Sequence, residues 1–175
     1  MMSGATSLAL TSDLPPSAYH RAMSVAGSSA EEEVFDSPVG NVALHIRSYL
    51  ETGGRVGHLH RGRHTLLLTT RGRRTGKARR TALIYGRDGD RYVLVASHAG
   101  APFHPAWYLN LTANPEVQVQ VGAVRFTAVA RTAGAEERAA LWPIMVAEFH
   151  MFDRYQVKAG AREIPIAILE RVPEA

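Results

Sequence analysis

The chain contains no cysteine. That excludes disulfide frameworks, thiolate nucleophiles and cysteine-ligated zinc together, and it fits a reducing compartment. No apolar run approaches the roughly 20 residues that span a bilayer. Met1 to Leu10 has neither a basic leader region nor a long enough apolar stretch for a signal peptide, and Met23 offers a second plausible start. The expected location is the cytoplasm, with peripheral contact at the inner face of a membrane left open. Aromatic residues make up only 7%, without the exposed, basic-interleaved pattern that stacks bases, so no nucleic-acid partner is expected. His98 and His104 have no third ligand at metal spacing, and His58, His60 and His64 read as surface residues, so no metal is expected.

One further absence is local. Between Glu51 and Asp88 there is no acidic residue, while the same window carries Arg55, Arg61, Arg63, Arg71, Arg73, Arg74, Lys77, Arg79, Arg80 and Arg87. That is half of the chain's 20 Lys and Arg. Like charges so dense repel one another unless an anion lies among them: nucleic acid, a lipid headgroup or a phosphorylated small molecule.

What is present is one domain's worth of chain, 175 residues with 46% hydrophobic and 21% charged. Residues 1–36 are rich in Ser, Ala and Gly and lack apolar periodicity, which predicts a disordered tail before a domain at 37–175. Ser37-Pro38 reads as an N-cap and first helical position, and Val39, Val42, Ala43, Ile46, Tyr49 and Leu50 recur at helical spacing as far as Gly53-Gly54. Strands are expected at 65–70, 81–85, 91–96, 117–121, 124–129 and 163–169, with Asp88-Gly89 as a hairpin turn. Pro165 suggests an edge or a bulge for the last of them. Helices are expected from Pro105 to Leu111 and from Glu136 to Phe149, with a kink or a new turn at Pro143. The sum is a mostly β, α+β fold: about six antiparallel strands in a barrel or curled sheet, with three helices at the rim.

Two stretches carry chemistry. In Arg71–Arg80, Gly72 and Gly76 let the backbone turn tightly, Thr75 adds a hydroxyl, and Arg73, Arg74, Lys77, Arg79 and Arg80 supply charge. Arginine suits bidentate recognition of phosphate or carboxylate. No P-loop spacing occurs, so the stretch says anion site without naming the anion. In Ala96–Asn110 a strand runs through a small-residue loop into a helix start, which offers free N–H groups, and Trp107 and Tyr108 could lie beside a planar ring.

Several motifs, in order, resemble the deazaflavin-dependent nitroreductase family over residues 38–172. They are Leu67-Leu68-Thr69-Thr70-Arg71-Gly72-Arg73-Arg74-Thr75-Gly76, Tyr85-Gly86-Arg87-Asp88-Gly89-Asp90, the Ala96–Gly100 loop, His104-Pro105-Ala106-Trp107-Tyr108-Leu109-Asn110-Leu111, Ala113-Asn114-Pro115 and Arg162-Glu163-Ile164-Pro165. The resemblance implies a split β-barrel that binds coenzyme F420 and passes a hydride to quinones, nitroaromatics or other conjugated hydrophobic acceptors. It implies that Arg73, Arg74, Thr75 and Arg79 bind the cofactor's phosphodiester and acidic tail, and that Thr81, Ala82, Leu83 and Ile84 run beneath the deazaflavin ring. By the same resemblance Ala96, Ser97 and His98 meet its polar edge, His98 standing where many relatives carry lysine. Ala106, Trp107, Tyr108 and Asn110 complete the wall, with Phe152 beside them. Where relatives cluster tyrosines, Phe149-His150-Met151-Phe152-Asp153-Arg154-Tyr155 keeps only one phenol. Tyr155 and Ser97 are therefore the candidate proton donors, and the acceptor is expected to be quinone-like rather than a nitro compound. Two alternatives use the same barrel: a non-catalytic carrier of deazaflavin or a fatty-acid-like ligand, and a relative that uses FMN. Oligomeric state is not legible.

Overall fold

The computed structural model describes residues 32–173. Among them run β1 (Val34–Asp36), α1 (Gly40–Glu51), β2 (Leu59–His60), β3 (Arg63–Arg71), β4 (Ala78–Asp88), β5 (Arg91–Val95), α2 (Ala106–Ala113), β6 (Glu116–Val121), β7 (Val124–Thr132), α3 (Ala135–Glu148), α4 (Met151–Ala159) and β8 (Ile166–Arg171). Six of the strands close into an antiparallel barrel in the order β3, β4, β5, β8, β7, β6 and back to β3. β1 adds in parallel to the start of β4, and β2 pairs with the start of β3.

The uninterrupted apolar runs follow from this closure. Leu66 and Leu68 join the barrel interior with Leu94, Phe126 and Leu169, whereas Leu67 lies beneath α1 with Ile46 and Tyr49. In β8, Ala167 and Leu169 face the interior, while Ile166 and Ile168 pack with Val93 and Val95 under Leu141, Met145 and Phe152. A strand covered on both faces needs no polar alternation. Burying one such leucine or isoleucine is worth about 1.5–3 kcal/mol.

Several expectations are corrected. The segment expected as a tail lies outside the described residues as far as Glu31, but its last residues form β1. The N-cap of α1 is Val39, not Ser37, because the Ser37 N–H donates to the Arg80 carbonyl at 2.9 Å and extends the pairing of β1. Arg79 and Arg80 belong to β4, so the basic turn is shorter than expected. Four helices rather than three are described; the fourth, α4, turns Phe152, Tyr155 and Ala159 inward at helical spacing. β8 lies between β5 and β7 rather than at an edge, and Pro165 precedes it, where its carbonyl accepts from the Ala96 N–H at 2.9 Å. His58 is tied inward, its Nδ1 3.2 Å from the Tyr49 hydroxyl.

Candidate functional site

A cleft of about 640 Å³ opens between β4, the basic turn, the starts of α1 and α2, and the loop after β5. Each wall follows from a local choice of residues. The turn is closed by the Gly72 N–H donating to the Lys77 carbonyl at 2.9 Å and the Gly76 N–H to the Gly72 carbonyl at 2.7 Å. Gly76 has a φ of 68°, in the left-handed region that favours glycine, and a Cβ on Gly72 would crowd the Thr75 hydroxyl at 2.9 Å and the Lys77 carbonyl at 3.2 Å. Buried Asn110 fastens this turn to α2: its Oδ1 accepts from the Arg73 N–H at 3.2 Å and from Arg73 Nη1 at 3.4 Å. Its Nδ2 donates to Thr70 Oγ1 at 3.2 Å, so both ends of the amide are engaged.

Charge in the cleft is concentrated at that turn. Arg80 pairs with Asp36 at 2.6 Å. Among the described residues, no carboxylate pairs with Arg73, Arg74 or Arg79. The Arg79 guanidinium and the Lys77 ammonium lie over the Phe35 ring at 5.0 and 4.6 Å. Away from the turn the lining becomes apolar: Pro38, Val39, Val42, Ala82, Leu83, Val95, Pro105, Ala106 and Trp107. α2 begins at this wall with no side-chain cap, so its first N–H groups are available to an acceptor. The cleft is therefore two-ended, cationic at one end and apolar at the other. It suits a flat ring carrying a distal anion. A second groove, of about 560 Å³ along β3 and β6, differs in having its arginines engaged: Arg71 by Glu32, Arg80 by Asp36 and Arg125 by Gln120.

Of the residues expected at the site, Arg73, Arg74, Thr75, Arg79, Thr81, Ala82, Leu83, Ser97, His98, Ala106, Trp107 and Asn110 line the cleft together. The others do not. Ala96 and Tyr108 are buried in the barrel interior, where the Tyr108 hydroxyl meets Thr132 Oγ1 at 2.8 Å. Ile84 and Phe152 belong to the cluster beneath α3 and α4. Tyr155 packs there too, its ring 6.0 Å from Phe149 and 6.5 Å from Phe152, and it is not part of the cleft lining. The physical reason is alternation: neighbours in a strand or on successive helix positions face different ways, so a contiguous motif cannot line one wall entirely. The sequence reading missed Phe35, Asp36, Pro38, Val39 and Val42 as site residues, and they line the cleft too. Phe35 beside Asp36, just ahead of the helix start, was the available signal.

Comparison with known proteins bears on this cleft. The family model described as F420H(2)-dependent quinone reductase matches residues 41–171. Two F420H(2)-dependent quinone reductases of Mycobacterium tuberculosis are each 41% identical over 132 residues, 73% of this chain and 88% of theirs. A solved structure titled as an F420-H2 dependent reductase is 38% identical, covering 61% of this chain and 93% of its own, with a TM-score of 0.56. Another, titled a domain-swapped dimer, is 37% identical over 77% of this chain and 100% of its own, with a TM-score of 0.59.

Proposed function

The chain belongs to the F420H(2)-dependent quinone reductase family, and from that membership we propose that it is an oxidoreductase that binds coenzyme F420 in the two-ended cleft and reduces a quinone. The observation that carries this reading is the trio Arg73, Arg74 and Arg79. Three arginines without carboxylate partners among the described residues, Arg73 and Arg74 on a turn whose main chain Asn110 holds and Arg79 at the start of β4, would form a prepared site for the cofactor's phosphodiester and acidic tail. Their charge would otherwise favour leaving the turn loose. Thr81, Ala82 and Leu83 along β4, together with Trp107, supply a mostly apolar lining for the ring.

When bound, the reduced deazaflavin supplies the hydride; the protein's part is orientation, exclusion of water and a proton. The part of the cleft lined by β4 and the start of α2 would hold the ring, with Val39 and Val42 also on the lining. A hydride acceptor must lie about 3–3.5 Å from the donor carbon. A flat, apolar quinone satisfies that in a cleft whose far end is apolar. Ser97, which lines the cleft where Tyr155 does not, is the proton donor this reading favours for the reduced oxygen. A nitroaromatic is the weaker acceptor, since one phenol, Tyr155, stands where the relatives cluster several and it packs away from the cleft.

The quinone reading also assigns a surface. Exposed Val56 and Leu59 lie in the segment that carries Arg55 and Arg61, a mixed apolar and cationic edge suited to anionic lipid. Sedimentation with phosphatidylglycerol vesicles, but not with phosphatidylcholine vesicles, is the expected behaviour; equal recovery with both contradicts it. For the reaction itself, stopped-flow oxidation of reduced F420 by a menaquinone analogue should show saturating, enzyme-dependent kinetics. F420 binding with no turnover on any quinone would make the protein a carrier, and retention of FMN in preference to F420 on ultrafiltration would displace the cofactor assignment.

A further inference from the structure

Arg162, on the turn between α4 and β8, is not part of the cleft lining. Its guanidinium donates to three main-chain carbonyls of the loop that follows β5. Nε reaches Ala101 at 2.8 Å, Nη1 reaches Ala96 at 3.1 Å and Nη2 reaches Ser97 at 2.6 Å. Nη1 also donates to Nδ1 of His104 at 3.2 Å. Burial, and secondarily the Arg162 charge, hold the His104 imidazole below its ordinary pKa, so the ring is a neutral acceptor there.

The loop so gripped is strained. His98, Ala99 and Gly100 have consecutive φ values of 48°, 51° and 75°. The first two are side-chain-bearing residues in a left-handed conformation that L-residues avoid. Within the turn the main chain makes two bonds, from the Gly100 N–H to the Ser97 carbonyl at 2.9 Å and from the Ala101 N–H to the His98 carbonyl at 3.0 Å, and the His98 Nδ1 lies 3.3 Å from the Phe103 carbonyl further along the loop. Helix α4 presses on it from outside, since a Cβ on Gly100 would meet the Tyr155 carbonyl oxygen at 2.8 Å. Strain of this kind persists only where surrounding contacts over-determine the backbone. Arg162 supplies such contacts at both ends of the turn, and the two residues that the turn presents to the cleft are Ser97 and His98.

We infer that Arg162 is a positioning residue for the reaction: it holds the left-handed turn at 98–100 and thereby fixes Ser97 and His98 as the cofactor wall. The identity of the ligand rests on the F420 reading above; the clamp on the turn does not. A planar guanidinium serves three carbonyls at once, whereas the compact lysine ammonium on a flexible stem does not, so Arg162→Lys keeps the charge and loses the clamp.

Hydrogen exchange on the ligand-free protein tests the clamp directly. In Arg162→Lys the hydrogen-bonded amides of 97–101, those of Gly100 and Ala101, should exchange at least tenfold faster, while those of β3 and β6 stay as in the parent. F420 affinity, by fluorescence titration, should fall at least tenfold. Adding Ala99→Gly, which adopts positive φ without a side-chain penalty, should recover at least threefold of it. A residue that merely stabilised the barrel would not be rescued by a glycine. Should Arg162→Lys fail to fold, Ala99→Val at an exposed position leaves Arg162 in place and disfavours the turn; F420 affinity should fall at least fivefold. Parent-like exchange at 97–101 in Arg162→Lys, no rescue by Ala99→Gly, or full affinity in Ala99→Val overturns the inference. A parent that does not bind F420 overturns the cofactor reading instead, and the exchange rates alone then decide the clamp.

Discussion

Ser97 and Tyr155 make the same offer in the sequence, a hydroxyl near the ring, and geometry separates them. Ser97 lines the cleft; Tyr155 sits among Phe149 and Phe152. A general acid contributes about 10²–10⁴ in rate. Ser97→Ala should therefore lower kcat on a quinone at least tenfold at saturating reduced F420, and Tyr155→Phe should leave kcat intact; the reverse order in steady-state assays would return the role to the phenol. Gly54 shows what a sequence hides at this scale. It reads as a helix stop, and its φ of 81° agrees, but a Cβ there would also sit 2.5 Å from the Cα of Gly122 in the β6–β7 turn. Nothing local in the sequence announces a contact so distant along the chain. Gly54→Ala combines positive-φ strain with backbone collision and should cost about 2–4 kcal/mol in urea unfolding, whereas Gly62→Ala, which meets no neighbour, should cost only the strain.

At the scale of elements, the strands of the barrel were legible because period and turn signals agree: Asp88 pairs with Arg91 across Gly89 as the dipeptide predicts. β1 was not. Three residues make no periodic pattern, and the strand exists only because β4 offers an edge to it. α4 was missed for a different reason: its inward residues continue, at helical spacing, a pattern that the break at Phe149-His150 interrupts. The anchoring of α3 is purely tertiary. Glu137, in its first turn, is held down to about 2, chiefly by its hydrogen bond from Arg131 on β7 and then by Arg91 on β5. A carboxylate depressed in the folded state stabilises fully above its ordinary value near 4.5, and this contribution is lost as pH falls toward 2. Glu137→Gln should therefore lose less stability than the parent between pH 6 and pH 3 in urea titrations; parallel losses would show that the ion pair contributes nothing. The part-exposed side chains keep the expected effect small.

For the whole molecule, a closed six-stranded barrel leaves its function to what is added at one end: β1, the start of α1, the basic turn and the start of α2. The cationic half of that site could be read from the sequence, because an acid-free run of arginines with two glycines is a local signal. The lining from Phe35 to Val42 could not, since it depends on where that segment crosses the barrel. The central claim is that the unpaired arginines of the turn bind the anionic part of F420. Because no carboxylate among the described residues pairs with Arg73 or Arg79, and Asn110 keeps the main-chain N–H of residue 73 as a donor, removing both side chains leaves no charge uncompensated, and the melting temperature should hold. Charge-assisted hydrogen bonds are worth on the order of 1.5–3 kcal/mol each, and ~1.4 kcal/mol is one decade of affinity. The decisive measurement is a fluorescence titration of F420 into the parent and into Arg73→Ala/Arg79→Ala at low and moderate salt. The account predicts at least tenfold weaker binding by the double variant, with a shallower salt dependence than the parent; equal affinity and equal salt dependence in the two proteins would contradict it.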